Sequence, residues 1–117
     1  MCILILDDDV GRRRELAKQL STLGADELII CNWREIYTVP LAEECSAAFV
    51  AMNTMTDLEA ARQLIRIHPE LPFVVTTGTE KYAIESFLLG AQHYLCYPLM
   101  QEGLQEAISR CMLKKAE

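Results

Sequence analysis

Apolar residues recur along this chain in two alternating rhythms. Short unbroken runs come first: Cys2-Ile3-Leu4-Ile5-Leu6, Glu27-Leu28-Ile29-Ile30-Cys31, Ala47-Ala48-Phe49-Val50-Ala51-Met52, Phe73-Val74-Val75-Thr76-Thr77 and His93-Tyr94-Leu95-Cys96-Tyr97. Runs of this length mark strands buried on both faces of a parallel sheet. Between them the spacing turns helical. Residues 10–23 carry Leu16, Leu20 and Leu23 on one face and stop at Gly24, a natural residue beyond a helix end. Asn32-Trp33-Arg34-Glu35 has the polar-x-x-Glu form of a capping box and predicts a second helix, its first segment ended by Pro40. Thr56-Asp57-Leu58-Glu59 reads as another capping box, opening a helix with Leu58, Ala61, Leu64 and Ile65 inward that His68-Pro69-Glu70 and Pro72 close. A fourth helix is expected over 80–89, stopped by Gly90, and a fifth after Pro98 with Leu104, Ala107, Ile108 and Cys111 on one face. Five strands alternating with five helices imply an α/β fold, a doubly wound parallel sheet with right-handed crossovers. No repeat, low-complexity tract or linker interrupts it, so residues 1–117 read as a single domain.

Candidate chemistry gathers where strands end. The first strand runs straight into Asp7-Asp8-Asp9, and ligands of open α/β sheets sit beyond the carboxyl ends of the strands. Carboxylates there suit a divalent cation held by oxygen, the usual requirement for chemistry on phosphate. The alternative is that Asp9 caps the following helix and the other two are solvated; on the triplet alone the two readings stand level.

Composition narrows the class. With 117 residues, 51% apolar and 24% charged, the chain is an ordinary globular domain with one core. A net charge of −6, with no basic cluster longer than Arg12-Arg13-Arg14, argues against direct nucleic-acid binding. The apolar runs are too short to span a membrane and the first residues lack signal-peptide features, so a cytoplasmic location is expected. Cys2, Cys31, Cys45, Cys96 and Cys111 are scattered without C-x-x-C spacing, which predicts reduced core thiols and neither zinc nor disulfides. His68 and His93 lack metal-ligand spacing and are expected at the surface. Trp33 reads equally as a packing anchor or an exposed contact.

Three segments together resemble the receiver domains of bacterial response regulators, over essentially the whole chain. They are Ile3-Leu4-Ile5-Leu6-Asp7-Asp8-Asp9, Leu71-Pro72-Phe73-Val74-Val75-Thr76-Thr77-Gly78 and Gly90-Ala91-Gln92-His93-Tyr94-Leu95-Cys96-Tyr97-Pro98. The resemblance implies the CheY-like strand order 2-1-3-4-5, an acidic pocket at Asp7, Asp8 and Asp9, a hydroxyl residue at Thr77, an aromatic switch residue at Tyr94 and a cis Tyr97-Pro98 bond. Without phosphate chemistry Thr77 has an equally good role in satisfying a backbone group at a strand end, and packing is the default for both tyrosines. Two departures matter more. The family's phosphoacceptor aspartate ends the third strand, where this chain has Met52 and Asn53 as rival occupants because the loop that follows the strand is shortened. Its lysine precedes the fifth-strand proline, where this chain has Tyr97. A thioether or amide cannot replace a carboxylate nucleophile, and a neutral phenol cannot replace an ammonium. Asp57, the nearest alternative aspartate, is explained by its place at a helix start.

The expectation is therefore a degenerate receiver, not an enzyme, with no cofactor beyond weak Mg²⁺ at Asp7 and Asp8. Residues 4–17, 23–26 and 31–35 are similar to the degenerate receiver of FleQ/FlrA-type, sigma-54-dependent flagellar regulators. Lys81-Tyr82-Ala83-Ile84-Glu85-Ser86-Phe87 with Gly90 is similar to receivers preceding LytTR DNA-binding domains. Both imply a regulatory module cut from a longer transcriptional regulator, acting on an AAA+ or DNA-binding effector of the same chain. A free-standing adaptor in two-component signalling is the further alternative. Surplus apolar residues Ile84, Phe87, Leu88, Met100 and Met112 predict a homodimer face.

Overall fold

The structure, a computed structural model, describes residues 1–37 and 45–116. Its elements run β1 (Cys2–Leu6), α1 (Val10–Thr22), β2 (Glu27–Cys31), β3 (Cys45–Ala51), α2 (Met55–Ile67), β4 (Phe73–Thr77), α3 (Ala83–Leu88), β5 (His93–Cys96) and α4 (Gln101–Ala116). All strand pairs are parallel, and the sheet order is β2-β1-β3-β4-β5. That is the doubly wound order expected. Every residue of β1 and β4 is buried, which is why these strands show no polar alternation.

Two cores follow from the two-residue period of a strand. Leu4, Leu6, Ala48, Val50 and Met52 pack with Leu58, Ala61 and Leu64 of α2. Their neighbours Ile3, Ile5, Ala47 and Phe49 pack instead with Leu16 and Leu20 of α1 and Leu104, Ala107 and Cys111 of α4. Truncating any one of the large residues to Ala would cost about 2–5 kcal/mol.

Four helices, not five, are present among the described residues. The capping box at Asn32 does form, since Asn32 Oδ1 accepts from the Arg34 and Glu35 amides and Asn32 N–H donates to Glu35 Oε1. Yet residues 33–37 make a turn, and Pro40 lies outside the described residues. The second expected box is shifted by two residues: Thr54 is the cap of α2, bonded to the Asp57 amide while the Asp57 carboxylate accepts from the Thr54 amide. Thr54-x-x-Asp57 and Thr56-x-x-Glu59 are overlapping versions of one motif, and the extended backbone of Thr54, directly after β3, selects the first. Helix α3 is shorter than expected, Ala83–Leu88 against 80–89. The Tyr97-Pro98 bond is cis. Among the described residues no helix is long and apolar enough to cross a membrane.

Candidate functional site

Pairing in the sheet brings the marked residues to one edge. Leu6 stands opposite Val50, Ala51 opposite Thr76, and Thr77 opposite Cys96. The residues just beyond, Asp7 and Asp8, Met52 and Asn53, and Tyr97, therefore share the carboxyl end of the sheet with Thr77.

The three acidic residues do different things. Asp9 is the N-cap of α1, its Oδ1 accepting from the Arg12 amide at 2.8 Å. Asp8 is exposed and accepts from the Trp33 amide at 3.4 Å. Asp7 is only 5% exposed. Its Oδ1 accepts from the Asp9 amide at 2.8 Å, and its Oδ2 is buried without a hydrogen-bond partner. Burial pushes its carboxyl above the usual range, with the Asp9 amide and the Arg12 charge opposing the rise.

At the end of β3 no carboxylate is present. Met52 is fully buried in the core beneath α2, and its sulfur accepts from the Ser86 hydroxyl at 3.2 Å. Asn53 turns its amide oxygen toward β4, accepting from the Thr77 hydroxyl at 3.1 Å and the Gly78 amide at 2.7 Å. The single Thr77 hydroxyl proton is shared between that oxygen and the Met52 carbonyl, 2.6 Å away. Asp57 accepts from the Asn53 and Thr54 amides at 2.8 and 3.2 Å, so its carboxylate is engaged in starting α2.

Tyr97 closes the other side. Its hydroxyl is buried beside Thr76 Oγ1 and the Asp7 carboxyl, and none of Tyr97 Oη, Thr76 Oγ1 and Asp7 Oδ2 makes a hydrogen bond of ordinary geometry. Burial raises the phenol above its ordinary pKa, the neighbouring Thr76 hydroxyl lowers it, and the Asp7 charge raises it further, so Tyr97 stays neutral. The Arg12 guanidinium lies 5.3 Å from the ring centroid, a cation–π arrangement. Tyr94 faces the opposite core. It donates its hydroxyl proton to the Thr79 carbonyl and sits 6.2 Å, centroid to centroid, from Phe87.

This donor set suits a divalent cation poorly. Mg²⁺ wants several oxygen ligands in octahedral array, and among the described residues no group of three or more His, Cys, Asp or Glu side chains is placed to share one. Asp7 and Asp8 alone remain, one of them buried.

Other marked residues are placed plainly. Ile84, Phe87, Leu88, Met100 and Met112 are all exposed. Met100 and Met112 are twelve residues apart, which is ~18 Å along a helix, so they do not form one small patch. Trp33 is half-buried against the core, with Arg34 over its ring. His93 is also half-buried, 3.5 Å from Glu106, and His68 is intermediate rather than fully at the surface. Four cysteines are buried and Cys96 is exposed. Sequence reasoning missed Thr76 and the Arg12 stack on Tyr97. The only signal for Arg12 was the basic run, whose members the helix sends in different directions.

The family model described as flagellar regulatory protein FleQ matches residues 2–113. This chain belongs to the FleQ family. Transcriptional regulatory protein LytR of Staphylococcus aureus is 26% identical over 121 aligned residues, covering 100% of this chain and 49% of LytR. The chain thus spans about half the length of that relative. In fold, the FleQ-family chain matches a response regulator receiver domain protein from Clostridium thermocellum with a TM-score of 0.84, at 22% identity over 98% of this chain and 96% of that one. It matches NtrX of Brucella abortus with the same TM-score of 0.84, at 21% identity, covering 98% of this chain and 27% of NtrX. Its fold is that of a response-regulator receiver domain.

Proposed function

We propose that this FleQ-family receiver is a pseudo-receiver that regulates a transcription factor without being phosphorylated, through dimerisation and contacts with an effector domain of the same polypeptide. The end of β3 carries this reading: the core takes Met52, and Asn53 holds the Thr77 hydroxyl and Gly78 amide with a neutral amide oxygen. An aspartyl phosphate needs an ionised carboxylate as its nucleophile. Asn53 takes the phosphoacceptor position in this reading, because its side chain meets the Thr77 hydroxyl and the Gly78 amide at the carboxyl end of the sheet, whereas the Met52 side chain points into the core beneath α2 and only its main-chain carbonyl meets Thr77.

Tyr97 supports the same reading from the lysine position. A neutral phenol whose hydroxyl is buried beside Asp7 offers no positive charge to a phosphoryl group. Thr77 and Tyr94 remain as residues of a switch region that is held by hydrogen bonds to Asn53 and Thr79. Mg²⁺ binding at Asp7 and Asp8 is weak at most.

Association rests on the exposed apolar residues of α3 and the ends of α4. Leu88 is 81% exposed and Ile84 74%, more apolar surface on a six-residue helix than core packing explains. The matched relatives are regulators, one flagellar and one transcriptional, which favours an effector that controls transcription in the cytoplasm. Treatment with acetyl phosphate followed by intact-mass spectrometry tests the reading; an added phosphoryl group would sink it.

A further inference from the structure

Cys2 and Cys45 are the first residues of β1 and β3 and stand opposite one another in the sheet. Their sulfurs are 3.3 Å apart, and both side chains are buried. Neighbouring strands lie ~4.8 Å apart, inside the ~4.4–6.8 Å between Cα atoms that a disulfide spans. The ladder is also irregular here: Cys45 opposes Cys2 while Ala47 opposes Ile3, leaving Ser46 as an extra residue. Such a bulge lets the backbone adjust locally. The Lys115 ammonium donates to the Cys45 carbonyl and fixes that end of β3 against α4.

We propose that Cys2 and Cys45 form an intramolecular disulfide when the chain meets a peroxide, clasping the first strand to the third. Cys2 is the less buried of the two and is the sulfur the oxidant reaches first. Its thiolate attacks a peroxide oxygen, the O–O bond breaks, and hydroxide leaves and is protonated to water, giving a sulfenic acid. The Cys45 thiol gives up its proton and attacks the sulfenic sulfur, expelling a second water as the S–S bond forms. Two thiols and one hydrogen peroxide thus become one disulfide and two waters, the peroxide taking both electrons. Burial pushes the Cys45 thiol up, so its thiolate is scarce and the resolving step is slow. The clasp lies at the amino end of the strands, opposite Asp7 and Asn53. It ties off the chain from β1 through α1 and β2 to β3, which restricts the unfolded state.

The test is peroxide oxidation of the purified chain, then alkylation in urea, intact-mass measurement and peptide mapping. The proposal expects a loss of two hydrogens, a Cys2–Cys45 cross-linked peptide, the other three cysteines alkylated, and a raised urea midpoint against the reduced chain. Cys2→Ser and Cys45→Ser should each abolish the link. Oxidation of the urea-unfolded wild type, which needs no variant to fold, should give a mixture of pairings. Five alkylatable cysteines, a different dominant pair, the same mixture from native and unfolded chains, or an unraised midpoint in the cross-linked chain would each overturn the proposal.

Discussion

The Thr77 hydroxyl reaches across from β4 to the Asn53 amide oxygen, 3.1 Å away, and to the Met52 carbonyl at 2.6 Å. One buried hydroxyl thus closes the end of the third strand on the fourth, and it also accepts from the Thr79 amide at 3.1 Å. Thr77→Val keeps the shape and removes these bonds. Leaving their partners unsatisfied should cost about 1–3 kcal/mol, read as a lower urea midpoint with an unchanged slope. An unaltered midpoint would mean that the hydroxyl holds nothing.

Asp7 should be a destabilising residue at neutral pH. Burial raises its folded pKa above the ~3.9 of an unfolded aspartate, so the folded chain prefers the protonated form. Its favourable contribution is present below the unfolded pKa and is lost as pH rises through the folded pKa. Asp7→Asn keeps an oxygen for the Asp9 amide and supplies a donor toward Tyr97 and Thr76. It should stabilise the fold by about 1–2 kcal/mol at pH 7, with the difference from wild type shrinking as the pH is lowered toward 4. Thermal melts across that range check the sign, and a destabilised variant at pH 7 would refute it.

The Tyr97 hydroxyl has no well-formed hydrogen bond to lose. Tyr97→Phe should therefore cost under about 0.5 kcal/mol or stabilise slightly, because an unsatisfied buried polar group is removed while the Arg12 stack stays. Tyr97→Ala, which deletes the half-buried ring, should cost about 2–3 kcal/mol, less than a fully buried aromatic would. Chemical denaturation of the pair separates the ring from its hydroxyl; equal losses would assign the hydroxyl a role this geometry lacks.

What the sequence shows and what it hides divide along physical lines. Strand β1 was legible because burial on both faces leaves an unbroken apolar run, and the observed Cys2–Leu6 matches it. Among the described residues the expected second helix is a turn over 33–37, although its capping hydrogen bonds at Asn32 exist: a cap satisfies a helix start without making one. The Thr54 cap was displaced by two residues because two threonines and two acids overlap in one motif. The acidic run was legible, but its division of labour was not. Whether Asp7 is buried and Asp9 caps depends on where β1 leaves the sheet. The company of Tyr97, with Arg12, Asp7 and Thr76 around it, comes from the ends of two other strands and a helix. No local pattern carries that.

Homodimerisation should depend on the exposed face of α3. Leu88→Arg places a charge at an 81% exposed position, so it should leave folding intact and weaken self-association at least tenfold, and Met112→Arg tests whether the far end of α4 takes part. Sedimentation velocity over a micromolar concentration series reads both. A wild type that stays monomeric throughout, or a dimer indifferent to both substitutions, would rule this face out.

Phosphoryl uptake tests the central claim most directly. The purified chain is incubated with acetyl phosphate and Mg²⁺ and weighed intact, with and without hydroxylamine, after peptide mapping has excluded deamidation of Asn53 to aspartate. The end of β3, with Met52 in the core and a neutral amide at Asn53, predicts an unchanged mass. A phosphoryl adduct that hydroxylamine removes, mapped to any aspartate of the chain, would contradict it.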